Sequence, residues 1–301
     1  MFENLMKKLK SDRYITLETT PKHSPVFAPV IQKIKELGLD KKVDGFSVTD
    51  SPLAKMKYSA LFAALKLQQE FNKPAIATMS MRDKNKIGLQ SSLLGANEVD
   101  VRAILTLTGD SANMSDQPNT KGVFEGNSTL LLEIIKCFNA GIDYGGRTLD
   151  VKPQTIYPFS VSNAYAKNPK NLQKKMKSKL EHATRAIITQ PVYSIGNTEN
   201  LLEIFQKAKI EAGNSKAELI IGFFPIIRLK TAQFLTSHVP GITVPSSWTK
   251  ALFEAKNKSE KYQEEVGFEL SQTALQDIMK IHPKVHLMTA NNFTLADKLL
   301  T

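Results

Sequence analysis

The stretch ILTLTGD (104–110) starts as a buried strand and ends as something else. Ile104, Leu105 and Leu107 are apolar, with threonines between them. The pattern then stops at Thr108, Gly109 and Asp110. A turn accounts for a glycine and an aspartate at little cost, since both tolerate turn geometry. A site at the carboxyl end of a strand accounts for them equally. The rest of the chain decides between the two.

Seven other runs share the character of this one. They are YITLETT (14–20), GFSVTD (45–50), AIATMSM (75–81), TIYPFSV (155–161), RAIITQP (185–191), ELIIGFFP (218–225) and KVHLMTA (284–290). With AILTLTG (103–109) they make eight strand candidates, nearly continuous in apolarity. That suits parallel strands covered on both faces. Helical spacing fills the intervals. SPVFAPVIQKIKELG ends at Gly38, a natural helix stop. YSALFAALKLQQEF, IGLQSSLLGANEV, STLLLEIIKCFNAG, LLEIFQKAKIEAG and LKTAQFLTSHV repeat apolar residues at three and four.

Strand and helix alternate eight times, which predicts a (β/α)8 barrel. An open doubly wound sheet is best supported by G-x-G-x-x-G after the first strand, and here that strand runs into ETTPKHSP. GIDYGG (141–146) follows a helix and reads as a turn. Residues 110–127 form a long polar loop after the fourth strand, a length common in functional lids. Residues 239–283 insert two helical stretches before the last strand, the first capped by Ser246 or Ser247. No linker interrupts the pattern, so 1–301 is expected to be one barrel domain.

Composition excludes several classes. The 301 residues are 42% hydrophobic and 23% charged, an ordinary globular balance. No apolar run reaches the roughly 18 residues that span a bilayer. The N-terminus has no signal-peptide pattern, so a cytoplasmic location without membrane association is expected. The net charge is +11. Its densest run, KNPKNLQKKMKSK (167–179), carries no aromatics for base stacking, so a solvated helix face is expected rather than a nucleic-acid site. Attraction of anionic small molecules is a second use of such a charge. The single cysteine, Cys137, sits in an apolar helix and reads as core. The histidines His23, His182, His238, His282 and His286 form no ligand cluster. His282 and His286 have zinc-helix spacing, but Pro283 intervenes and a strand follows. No metal is expected, and no Gly-x-Ser-x-Gly elbow is present.

Chemistry in a barrel gathers at the carboxyl ends of its strands. Those ends supply Glu18 and Thr19, Thr49 and Asp50, Thr78, Ser80 and Arg82, Thr108 and Asp110, Tyr157 and Ser160, Thr189 and Gln190, and Thr289 and Asn291. Glu18 is the sharpest of them. It interrupts an apolar strand, where burial favours the neutral form of a carboxyl that a general acid needs. A structural glutamate paired with Arg or Lys is the competing reading.

The chain resembles the 5,10-methylenetetrahydrofolate reductases. The matching segments are LETTPK (17–22), FSVTDSP (46–52), RDKNKIGLQSSLLGANEVDVRAILTLTGD (82–110), AIITQPVYS (186–194), GFFPI (222–226) and VPGITVPSSW (239–248). The resemblance implies a flavin-dependent barrel that passes hydride through FAD to methylenetetrahydrofolate. NADH, NADPH or another donor supplies the electrons. It implies Glu18 as proton donor to folate and Asp110 as the flavin-proximal aspartate that also touches the pterin. Thr49, Thr78, Thr108, Gly109, Tyr157 and Lys179 fall at flavin positions, and Gln190 and Leu229 at substrate positions. The chain departs from the pattern where Thr19 and Thr20 replace an aromatic pair, Thr78 a histidine, and Leu229 a substrate-stacking phenylalanine. Leu172 departs on the FAD-binding helix. A non-redox folate-dependent one-carbon transferase and a basic nucleic-acid-binding barrel are the alternatives. A homo-oligomer is compatible with either.

Overall fold

A computed structural model of the chain describes residues 1–301 except 12 and 240. Eight parallel strands close in sequence order into a barrel. They are β1 (Tyr14–Thr19), β2 (Gly45–Val48), β3 (Ala75–Ser80), β4 (Ala103–Leu107), β5 (Tyr157–Ser162), β6 (Ala186–Pro191), β7 (Glu218–Phe223) and β8 (Lys284–Leu287). All eight expected strands form, each of them shorter than the apolar run that predicts it.

The alternation of side chains along each strand builds two cores. Ile15, Leu17, Ile104, Ile187, Ile221, Val285 and Leu287 face outward into the helix layer. Tyr14, Ile76, Leu105, Phe159, Ile188 and Ile220 face the barrel axis. Continuous apolarity therefore reflects burial on both faces.

The surrounding helices are α1 (Phe2–Lys10), α2 (Ala28–Glu36), α3 (Leu39–Lys42), α4 (Ala60–Phe71), α5 (Lys86–Glu98) and α6 (Ser128–Asn139). They continue with α7 (Pro169–Leu180), α8 (Ile195–Glu211), α9 (Leu229–His238), α10 (Ser246–Lys258), α11 (Glu260–Ile281) and α12 (Phe293–Leu299). α10 and α11 are the expected insertion before the last strand. The cap of α10 differs from expectation. Pro245 occupies the cap position, and Ser246 is already the first helical residue. The Pro245 carbonyl accepts the Trp248 amide at 3.0 Å, so the first turn is closed by backbone rather than by a serine side chain.

α1 was not legible as a barrel element. Its Phe2, Leu5 and Leu9 are buried against Tyr14, Ile76 and Phe159. The helix thus plugs the amino-terminal end of the barrel, and ligand access is left to the opposite mouth. Cys137 is half-buried on α6. No helix among the described residues is long and apolar enough to cross a membrane.

Candidate functional site

The carboxyl ends of the strands surround a cavity of about 390 Å³. Glu18, Thr49, Thr78, Thr108, Gly109, Asp110, Lys179 and Gln190 all line it. These residues come from β1, β2, β3, β4, α7 and β6, or from the turns that follow them. The question raised by Thr108, Gly109 and Asp110 is answered by how they are used. Gly109 adopts φ +94°, and a Cβ there would come within 2.9 Å of the Arg82 Cβ. Glycine is needed because the chain passes against the end of β3 in a left-handed conformation. Asp110 Oδ2 accepts the Leu53 amide at 2.6 Å. Thr108 Oγ1 accepts the Ser128 amide at 3.1 Å, tying the strand end to the start of α6.

Glu18 faces the cavity at 20% side-chain exposure, and its Oε2 is 3.5 Å from His286 Nε2. The other ring nitrogen, Nδ1, is 2.9 Å from Thr16 Oγ1. Among the described residues, no Arg or Lys contacts Glu18 within ion-pair range. The expected structural partner is therefore replaced by a buried imidazole. His286 is 2% exposed. It was not singled out as a site residue, but strand alternation carries the signal. Val285 and Leu287 face the helices, so His286 between them faces the axis. The zinc-helix spacing with His282 has no structural counterpart, because β8 begins between them and His282 Nε2 bonds Leu219 O at 2.8 Å.

Lys179 is the exception on the solvated α7. The helix turns Lys170, Lys174 and Lys175 outward, while Lys179 reaches the cavity and donates to the Val161 carbonyl. Burial, reinforced by Lys175, pulls its pKa down to about 8. An anionic group of a ligand would favour the charged form and raise the pKa again. Gln190 sits where the β6–β7 register shifts between Ile188 and Pro191. Such irregularities re-aim a side chain. Gly222 allows this, since a Cβ there would meet the Thr189 carbonyl at 2.1 Å.

Two expected residues lie elsewhere. Tyr157 is the first residue of β5, at the amino-terminal end of the barrel, where its ring stacks on Phe2 at 5.7 Å. The carboxyl end of β5 is Ser162, so Tyr157 is a contact of the plug rather than of the cavity. Leu229 opens α9 and is 7% exposed within the core between barrel and helices. It does not line the cavity.

The cavity can hold a flat, polar heterocycle. Thr49 Oγ1 and Ser80 Oγ are buried without a partner, although both residues line it. Unspent hydroxyls, a lysine short of a counter-charge and apolar walls from Leu105, Leu107, Ile188 and Met288 fit an isoalloxazine or a pterin. Glu18, Asp50 and Asp110 add three carboxyl groups to the lining.

Barrel, plug and carboxyl-lined mouth define a single (β/α)8 barrel with its candidate site at the carboxyl ends of the strands. The model of the methylenetetrahydrofolate reductase family matches residues 3–301, and the chain belongs to that family. No curated protein matches it. Among solved structures, an uncharacterized protein from Clostridium thermocellum is described as binding two copies of 5-methyl-5,6,7,8-tetrahydrofolic acid. It superposes with a TM-score of 0.62 at 14% identity, over 98% of this chain and 97% of that one. At that identity the likeness supports the fold.

Proposed function

We propose that the protein reduces 5,10-methylenetetrahydrofolate to 5-methyltetrahydrofolate, with Glu18 as general acid and FAD as the redox group. The observation that carries this reading is the position of Glu18. It stands at the end of β1 against the buried His286, in the cavity that also holds Asp110 and Gln190. Family membership and the described ligand of the Clostridium thermocellum protein support a folate in this barrel.

Thr49, Thr78, Thr108, Gly109, Asp110 and Lys179 would hold FAD, with Lys179 supplying positive charge for its phosphates. When bound, FAD supplies the hydride, its electrons coming from NADH, NADPH or another donor. Glu18 gives a proton to N10 of the folate as the five-membered ring opens. The N10–methylene bond breaks with its electron pair going to N10, N5 and the methylene group become an N5=CH2 iminium ion, and the methylene carbon accepts the hydride to become the N5-methyl group. Gln190 hydrogen-bonds the pterin and fixes the face presented. His286 holds the Glu18 carboxyl in place for the transfer.

The test is spectroscopic and kinetic. Purified protein is expected to show bound flavin, or to take up added FAD, to bleach with NADH or NADPH, and to regain its colour with methylenetetrahydrofolate. A colourless protein that takes up no FAD on titration overturns the flavin assignment.

A further inference from the structure

Asp50 has no part in the reading above. It follows β2 directly after Thr49, and it lines the cavity. Its Oδ2 accepts the Ser80 amide at 3.3 Å. The nearest guanidinium is committed elsewhere. Arg82 donates from Nε and Nη2 to Asp83 at 2.7 and 2.6 Å, and from Nη2 to the Ser51 carbonyl at 3.1 Å. Among the described residues no ion pair is formed by Asp50. Burial first, then the charge of Asp83, push its pKa up, while Lys84 and Arg82 oppose this. An acid in a cavity wall with one backbone partner is costly unless a ligand supplies donors.

A second observation points to the same ligand. Ser80, whose amide bonds Asp50, is 3% exposed, and its hydroxyl is buried without a partner. The Thr49 hydroxyl is in the same state. Gly109 keeps the space against Ser80 open, since a Cβ there would lie 3.2 Å from the Ser80 Cβ. The wall therefore offers an acceptor pair flanked by two free hydroxyls.

We propose that Asp50 is a specificity-determining residue that reads the amidine edge of a pterin, accepting N3–H and the 2-amino group while Ser80 serves the C4 carbonyl. This deepens the folate reading and rests on it. The chemistry discriminates between the two heterocycles expected here. A pterin presents two adjacent donors and then an acceptor. The pyrimidine edge of a flavin presents acceptor, donor, acceptor. An ionised carboxylate only accepts, so it pairs with the first and is repelled by the carbonyls of the second.

Equilibrium binding of pterin and of lumazine separates the possibilities, because lumazine carries a carbonyl where pterin carries the 2-amino group. The purified full-length protein is expected to prefer pterin by roughly 10- to 100-fold, the worth of a hydrogen bond to a charged group. Asp50→Asn, whose amide can donate to the lumazine carbonyl, is expected to lose or invert the preference. Ser80→Ala is expected to weaken both ligands alike, since both carry the C4 carbonyl. Asp50→Ser serves in place of Asp50→Asn if the amide variant does not fold. Retention of the pterin preference without the Asp50 carboxyl overturns the assignment and leaves the folate reading standing. Failure of the unaltered protein to bind pterin and 5-methyltetrahydrofolate overturns both.

Discussion

His286 Nε2 lies 3.5 Å from the Glu18 carboxylate, and Nδ1 of the same ring lies 2.9 Å from Thr16 Oγ1. The three side chains descend from the cavity into the barrel axis, with Thr16 two residues before Glu18 on β1. The ring is held from below and therefore holds the carboxyl from behind. His286→Ala is expected to leave the fold intact and to slow folate reduction by up to roughly 100-fold, the effect of misplacing a reacting group by about an ångström. Reduction of the flavin by its donor involves no proton from Glu18 and is expected to be unchanged. Equal slowing of both half-reactions would show that His286 supports the barrel rather than the acid.

Asp110 both lines the cavity and fastens the segment after β2 through the Leu53 amide at 2.6 Å. That segment carries positive φ at Ser51, Leu53 and Ala54, which favours glycine and costs on the order of 1–3 kcal/mol per residue. Asp110→Asn keeps an oxygen that can accept from Leu53 and removes only the charge. It is expected to raise the potential of bound flavin, because a nearby carboxylate disfavours an anionic reduced ring. Folate reduction is expected to slow. A potential unchanged in the variant places Asp110 away from the flavin.

Lys179 gives a pH-dependent prediction with a defined sign. Its pKa falls from 10.5 to about 8 in the folded protein, chiefly through burial. Between those values the unfolded chain binds the extra proton, so this group's contribution to stability rises with pH across the window. Below it, the folded protein carries a desolvated ammonium. Lys179→Met is therefore expected to be the more stable protein at pH 7, on the order of 1–3 kcal/mol. The difference should shrink above pH 8 and vanish near 10.5. FAD affinity is expected to drop in the same variant. Denaturant titrations at pH 7 and 10.5 check the first expectation, and a destabilised variant at pH 7 contradicts it.

Residues 111–127 return past the end of β3 rather than hanging free. Val123 and Phe124 donate their amides to the Arg82 and Met81 carbonyls at 2.7 and 3.2 Å. Glu125 accepts the Lys86 amide at 2.9 Å. The segment before these anchors can be shortened without touching them. Deletion within 111–122 is expected to lower folate turnover while the melting temperature moves by only a few degrees, the shift roughly 1 kcal/mol produces in a chain this long. Loss of folded protein would make the loop a structural element.

The barrel was legible because each strand is buried on both faces, and the mouth because polar residues interrupt those strands at one end. Glu18, Thr49, Asp110 and Gln190 reach the cavity from such positions, and Lys179 from the last turn of α7. What the sequence concealed depends on parity and on distant contacts. Tyr157 looks like an aromatic site residue until β5 is seen to begin with it, which sends it to the plugged end. α1 hides its role because nine residues with Phe2, Leu5 and Leu9 buried look like any charged amphipathic terminus. His286 is weighed naturally against His282, four residues away. The contact that matters is Glu18, brought beside it by the pairing of Thr16 with His286 across β1 and β8. Leu229 is placed by the packing of α9, which no local pattern sets.

The central claim is that Glu18 donates the proton on which folate reduction depends. Stopped-flow measurement of the two half-reactions in Glu18→Gln tests it most directly. FAD binding and flavin reduction by NADH or NADPH are expected to stay near those of the unaltered protein. Reoxidation of the reduced flavin by methylenetetrahydrofolate is expected to fall at least roughly 100-fold, the usual cost of removing a general acid. Reoxidation by folate at the unaltered rate in Glu18→Gln would contradict the account.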